Sequence, residues 1–127
     1  MNWSWQYLST IAAAALFAGT ISAATLRVIP GGQIESLRTA LIAAQPGDTI
    51  EVAHATYFEH DLSIDKPLVV RGVDQPILDA NGQGTIIEVT AANVSISGFI
   101  LRNVPVSFTK EHAAIRVSST SACEIAD

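Results

Sequence analysis

The sequence has little charge, few aromatic side chains and almost no cysteine. Among its 127 residues, 15% are charged and 6% are aromatic, whereas 49% are hydrophobic. Aliphatic and β-branched residues must therefore supply nearly all of the core, which favours stacked strands over a helical bundle. The formal net charge of −5, with no cluster of lysine and arginine, argues against nucleic acid as a partner. The single cysteine, Cys123, excludes an internal disulfide.

The N-terminal segment, residues 1–24, contains no charged residue at all. A continuous apolar run at residues 11–18 is followed by small residues, which is the pattern of a cleaved secretory signal. The run is shorter than the roughly 20 apolar residues of a membrane-spanning helix, although the basic residues that usually precede a signal are missing. We predict a signal peptide at residues 1–24, cleaved after Ala23 or Ala24, and hence a periplasmic or secreted protein.

Residues 25–47 are predicted to form a strand and a helix. Apolar and polar side chains alternate at residues 25–30, as in a short strand. Between Ile34 and Ala44 the apolar residues fall at helical spacing, and a proline and a glycine end the pattern. We expect this amphipathic helix to cap the N-terminal end of the structure that follows.

Residues 48–127 contain short runs rich in Val and Ile, separated by Gly, Asn, Asp and Pro. The runs are residues 49–52, 62–65, 67–72, 85–89, 93–101, 113–117 and 122–126. A strand, a corner and a second strand recur with an offset of roughly 23 to 29 residues, a period typical of solenoids. Each coil can bury its apolar side chains only by stacking on its neighbours. The sequence therefore predicts an all-β, right-handed parallel β-helix in residues 48–127.

An antiparallel β-sandwich is the competing fold. The corners at residues 90–92 and 118–121 lack the two-residue hairpin turns that a sandwich favours, so the solenoid is preferred. The predicted strands continue to the C-terminal residues with no second capping helix, and an uncapped solenoid exposes unpaired strand edges. We expect a chain truncated at its C-terminal end, whose open edge requires further coils or a stacking partner.

Several motifs, taken in their order along the chain, resemble a known family. They are PGDTI at residues 46–50, TYFE at 56–59, IDKPL at 64–68, RG at 71–72, LDANGQG at 78–84, ANVSISGF at 92–99 and LRN at 101–103. This order resembles the periplasmic maturation proteins of nitrous oxide reductase, within a wider group of carbohydrate-binding and sugar-hydrolysing parallel β-helix proteins. The resemblance implies an exported, non-enzymatic accessory protein that assists copper delivery to a periplasmic copper enzyme. An ABC transporter complex and a copper chaperone or nitrous oxide reductase are the implied partners.

The candidate metal ligands follow from the preference of copper(I) for thiolate, thioether and imidazole groups. They are His54, His60, His112 and Cys123. No tight metal-ligand spacing joins them, so the histidines also fit solvent-exposed loop positions. Cys123 also fits an inward position of the repeat that matches Val94, as a buried small hydrophobic residue.

A carbohydrate-active β-helix protein, such as a polysaccharide lyase or epimerase, and a surface binding module are the alternative functions. The carboxylates available for such chemistry are Asp61, Asp65, Asp74 and Asp79. None forms a close pair at strand spacing, and each adjoins a turn, where aspartate is common. We predict no catalytic residue, and fold analogy alone does not choose between the functions.

Overall fold

The structure of the protein, a computed structural model, describes residues 22–105, 114–118 and 123–126. Most of the predicted signal peptide lies outside these residues, so its cleavage stays a prediction. Among the described residues one helix, α1, spans Leu37–Ala43. The strands are β1 (Thr25–Val28), β2 (Thr49–Val52), β3 (Thr56–Phe58), β4 (Leu62–Ile64), β5 (Val69–Gly72), β6 (Ile77–Asp79), β7 (Ile87–Val89), β8 (Val94–Ser97), β9 (Ile100–Arg102), β10 (Ile115–Val117) and β11 (Cys123–Ala126).

The strands form three parallel sheets that the chain visits in turn. One sheet has the order β1-β2-β5-β8-β11, the second β10-β7-β4 and the third β3-β6-β9. From β2 onward, successive strands along the chain lie in different sheets, and each strand pairs in parallel with the strand one coil away. This topology confirms the predicted all-β parallel β-helix and excludes the antiparallel sandwich.

Each complete coil has three strands, whereas the sequence pattern predicted two. The sequence pattern does not reveal the third sheet, because β3 and β6 lack the two buried apolar residues at alternate positions that β4 and β7, of the same length, possess. The predicted run at residues 93–101 is two strands, β8 and β9. Between them Gly98 has a φ of +80°, a conformation that glycine adopts without steric cost.

The core runs along the axis of the solenoid as columns of stacked apolar side chains. In one column Ile50, Val70 and Ile96 occupy the same register on β2, β5 and β8, and none is more than 2% exposed. The repeat predicts inward positions in three successive copies. In the first two copies these residues are buried: Ile64, Leu68, Val70, Ile87, Val89, Val94 and Ile96. In the third copy Ile115 and Cys123 are half-buried, and Val117 and Ile125 are exposed. Full burial of each such side chain stabilises the fold by about 1.5–3 kcal/mol.

The helix α1 covers the N-terminal end of this core, as predicted. Its buried residues are Leu37, Ala40 and Leu41, and it packs against β1, β2 and β4. The helix begins three residues later than the predicted Ile34, because the Oγ atom of Ser36 accepts a hydrogen bond from the backbone N–H of Thr39 at 3.1 Å. A serine at this position satisfies one of the free N–H groups of the first turn.

Two glycines allow neighbouring coils to approach closely at one corner. Gly72 ends β5 and Gly98 follows β8, the strand beside it. A Cβ atom at Gly72 would overlap the carbonyl oxygen of Gly98 and lie 2.7 Å from Cδ of Pro76. A Cβ atom at Gly98 would lie 2.5 Å from the carbonyl oxygen of Gly72. Both positions therefore require the absence of a side chain.

Candidate functional site

A groove of about 340 Å³ separates α1 from the strand β4 and the corners that flank it. We call it the cap groove. Its lining residues are Arg38, Leu41, Ile42, Asp61, Leu62, Ser63, Asp65 and Lys66. The groove thus combines two cationic side chains, two carboxylates and a hydroxyl with an apolar wall from the helix, of which Ile42 is 76% exposed.

The first turn of α1 is anchored to the segment that follows β3. The carboxylate of Glu59 accepts hydrogen bonds from the backbone N–H groups of Leu37 and Arg38, at 2.9 and 3.0 Å. In return the guanidinium of Arg38 donates to the carbonyl oxygen of His60. Since a helix has no internal acceptor for its first N–H groups, Glu59 supplies what α1 lacks. These contacts hold the first turn of α1 beside the cap groove.

The last turn of α1 is anchored by Lys66, which follows β4. Its Nζ atom donates a hydrogen bond to the carbonyl oxygen of Ala44, at the C-terminal end of the helix. A cation is favourable there because the helix carries partial negative charge at this end. Lys66 is therefore engaged with the helix, which leaves Asp65 and Ser63 as the freer polar groups of the groove.

Asp48 joins the N-terminal strand to the loop after α1. Its carboxylate accepts hydrogen bonds at 2.8 Å from the backbone N–H groups of both Ala24 and Gln45, and the residue is only 4% exposed. The bond from Ala24, then that from Gln45, holds the pKa of Asp48 below its usual value, assisted by the charge of Lys66 and opposed by burial. Asp48 is thus held as a carboxylate in the folded protein.

Asp61 is held at the edge of the groove in a left-handed conformation, with φ of +53°. Its backbone N–H donates to the carbonyl oxygen of Thr85, and one carboxylate oxygen lies 2.7 Å from Nδ1 of His60. Gly84 lies so close that a Cβ atom there would be 2.6 Å from Oδ1 of Asp61. The side chains of His60 and Asp61 are 40% and 63% exposed, so both are accessible to a ligand.

The predicted metal ligands have separate surroundings. Nδ1 of His54 lies 2.7 Å from the carbonyl oxygen of Asp74, and Sγ of Cys123 contacts the carbonyl oxygen of Ala91 at 3.5 Å. Cys123 pairs in register with Val94, as the repeat predicted. Within residues 22–105, 114–118 and 123–126, no three His, Cys, Asp or Glu side chains form a group that could hold a metal ion. His112 lies outside the described residues.

Among the four aspartates named from the sequence, Asp79 is buried, at 3% exposure. Its carboxylate accepts hydrogen bonds from Nδ2 of Asn103 at 2.7 Å, the N–H of Asn81 at 2.7 Å and Nε of Arg102 at 3.0 Å. The bond from Asn103 contributes most to lowering the pKa of Asp79; the N–H of Asn81 and the guanidinium of Arg102 add to it, and burial opposes it. These partners occupy the carboxylate, which fits a structural role at the corner.

The motifs that carry the family resemblance hold the fold together. Asp48 of PGDTI, Glu59 of TYFE and Lys66 of IDKPL make the contacts around α1 described above. The hydroxyl of Tyr57, also in TYFE, donates to the carbonyl oxygen of Ala53 at 2.7 Å. The sequence pattern gives Glu59 and Asp48 no role, because Glu59 contacts Leu37 and Asp48 contacts Ala24, each more than 20 residues away along the chain.

In the described residues, no helix has both the length and the apolar character needed to cross a membrane. Comparison of the chain with protein-family models, with curated proteins and with solved structures gives no match. The strand pairing itself is therefore the basis for assigning the parallel β-helix fold.

Proposed function

We propose that this chain is an exported, non-enzymatic accessory protein that assists copper delivery to a periplasmic copper enzyme. The observation that carries the proposal is the difference between the two ends of the solenoid. At one end α1 covers the core. At the other, within the described residues, β9, β10 and β11 each pair with one neighbouring strand only.

The open end offers the chemistry of a protein contact. Edge strands present unpaired backbone groups to which a further strand can add. Apolar side chains accompany them, since Val117 is 41% exposed and Ile125 is 48% exposed. The resemblance adds the identity of the partners, which are an ABC transporter complex and a copper chaperone or nitrous oxide reductase.

Copper loading of the enzyme tests the proposal. Nitrous oxide reductase and its copper transporter are produced in an exporting host with and without this chain, and the copper content of the purified enzyme is measured. We expect less copper without the chain, and also with Ile125→Lys, which places a charge on the open edge. Phe58→Lys is the matched control, because Phe58 is a strand residue that is 67% exposed away from that edge. Equal copper content with and without the chain would contradict the proposal.

Direct copper binding is a separate question with its own measurement. Copper(I) is titrated into the exported protein in competition with a chelator, and the titration is repeated with His60→Ala and His54→Ala. Binding that His60→Ala weakens and His54→Ala does not would place a ligand beside the cap groove. If the unmodified protein and both variants bind no copper(I), the chain would assist copper delivery through protein contacts alone.

The cap groove favours the alternative of carbohydrate binding. A groove lined by carboxylates, cations and a hydroxyl suits a ligand rich in hydroxyl groups. Titration with uronate oligosaccharides tests carbohydrate binding. Asp65→Asn changes the groove, and Asp74→Asn is the matched control because Asp74 is also exposed but does not line the groove. Weaker binding in Asp65→Asn alone would support this function, and an absorbance increase from an unsaturated product would make it a lyase.

A further inference from the structure

Ala24, in the last position of the predicted signal segment, is part of the folded structure. Its backbone N–H donates to Oδ1 of Asp48 at 2.8 Å. Its carbonyl oxygen accepts from the N–H of Thr49 at 2.9 Å, at the beginning of β2. Both bonds link the start of the N-terminal strand to the first coil, 24 and 25 residues further along the chain.

The acceptor of the Ala24 N–H, the Asp48 carboxylate, is held in place by a second hydrogen bond. Asp48 is almost fully buried, and its other oxygen already accepts from the N–H of Gln45 at 2.8 Å. A buried carboxylate that loses a donor is destabilised, because an unpaired charge in a poorly solvated position is costly. The nitrogen atom of Ala24 therefore supplies one of the two backbone donors that satisfy the Asp48 carboxylate.

We propose that signal peptidase hydrolyses the Ala23–Ala24 bond and that the new ammonium group of Ala24 forms an ion pair with Asp48. This inference rests on the proposed export. In the hydrolysis, the oxygen of water bonds to the carbonyl carbon of Ala23 and the C–N bond to Ala24 breaks, so the released signal peptide ends in the carboxylate of Ala23. The amide nitrogen of Ala24 becomes the protonated α-amine. Ala23 and Ala24 each provide a small residue before a cleavable bond, with Ile21 and Ser22, respectively, two positions earlier. The hydrogen bonds of Ala24, rather than the sequence pattern, are therefore the reason for choosing the Ala23–Ala24 bond.

The ion pair uses the geometry already present. The amide nitrogen that lies 2.8 Å from Oδ1 of Asp48 becomes a cation at the same place, and a charge-assisted hydrogen bond is stronger than a neutral one. Cleavage one residue later, after Ala24, would instead remove the donor to Asp48 and the acceptor of the Thr49 N–H together. The two cleavage positions that the sequence left open thus differ by two hydrogen bonds.

The N-terminus of the exported protein tests the position of the cut. The full chain is produced in a secreting bacterial host, and the exported product is examined by intact mass and N-terminal sequencing. We expect a single product that begins at Ala24. A product that begins at Thr25 would overturn the inference and leave export intact, whereas an uncleaved chain that stays in the cytoplasm would overturn both.

The pKa of the Ala24 α-amine, measured by NMR on the exported protein, tests the ion pair. We expect it above the usual value of about 8, because Asp48 favours the charged form. Lys66, whose charge also acts on Asp48, is the other ionised group at this site and opposes the shift. Asp48→Asn should return the pKa to about 8, whereas Asp65→Asn, the matched control, should leave it raised. An unshifted pKa in the parent protein would overturn the ion pair, whether or not Asp48→Asn folds.

Discussion

Replacing Gly72 with alanine should force two neighbouring coils of the solenoid apart. The new Cβ atom would overlap the carbonyl oxygen of Gly98 and lie 2.7 Å from Cδ of Pro76. Neither a backbone carbonyl nor a proline ring can rotate away, and paired strands are held about 4.8 Å apart by their hydrogen bonds. Overpacking of this kind lowers the free energy of unfolding by about 1–3 kcal/mol, occasionally more. Because the new Cβ atom meets two rigid groups, we expect Gly72→Ala to lower it by about 3 kcal/mol.

Thermal unfolding followed by circular dichroism measures this loss. For a domain of this size, about 3 kcal/mol corresponds to a Tm lowered by roughly 12 °C or more. Gly82→Ala is the matched control, since Gly82 has a φ of +73° but a Cβ atom added there would meet no atom within 4 Å. It should cost only the strain of a left-handed residue, about 1–2 kcal/mol. If Gly72→Ala costs no more than Gly82→Ala, the close approach of the two coils is refuted.

Three further predictions concern single side chains. Glu59→Ala removes both acceptors from the first turn of α1 and should lower the free energy of unfolding in urea by about 0.5–2 kcal/mol, whereas Asp65→Ala should change it by less than about 0.5 kcal/mol. The lowered pKa of Asp79 contributes stability that is present above the unfolded carboxyl pKa of about 3.9 and is lost as the pH falls through the folded value. Asp79→Asn should therefore flatten the acid side of the stability–pH profile; an unchanged slope would contradict the assigned pairing. Phe58→Ser should change the free energy of unfolding by less than about 0.5 kcal/mol, and so shift the Tm only slightly, because that side chain is 67% exposed.

The sequence was sufficient to predict the parallel coil arrangement because the inward residues recur with a regular pattern. Cys123 pairs with Val94 in the register that the repeat implies. The third sheet could not be predicted in this way. Its first strands, β3 and β6, each contain a single buried apolar residue, Tyr57 and Leu78, so no alternation of apolar residues is visible within them.

The residues around the cap groove were harder to predict, for a different physical reason. Glu59 and Lys66 act on backbone groups at the two ends of α1, and such contacts depend on the three-dimensional path of the chain rather than on a local pattern. The metal candidates were chosen by side-chain chemistry alone. Because His54 and His60 follow different strands, β2 and β3, their chemistry did not determine whether they would converge.

NMR spectroscopy of the labelled exported protein tests the parallel coil arrangement most directly. Backbone nuclear Overhauser effects between strands report which strands are neighbours and in which direction they run. The β-helix predicts contacts between β4 and β7, and between β5 and β8, with Val70 opposite Ile96 in parallel register. Contacts between β4 and β5 in antiparallel order would instead indicate a hairpin and would contradict the solenoid.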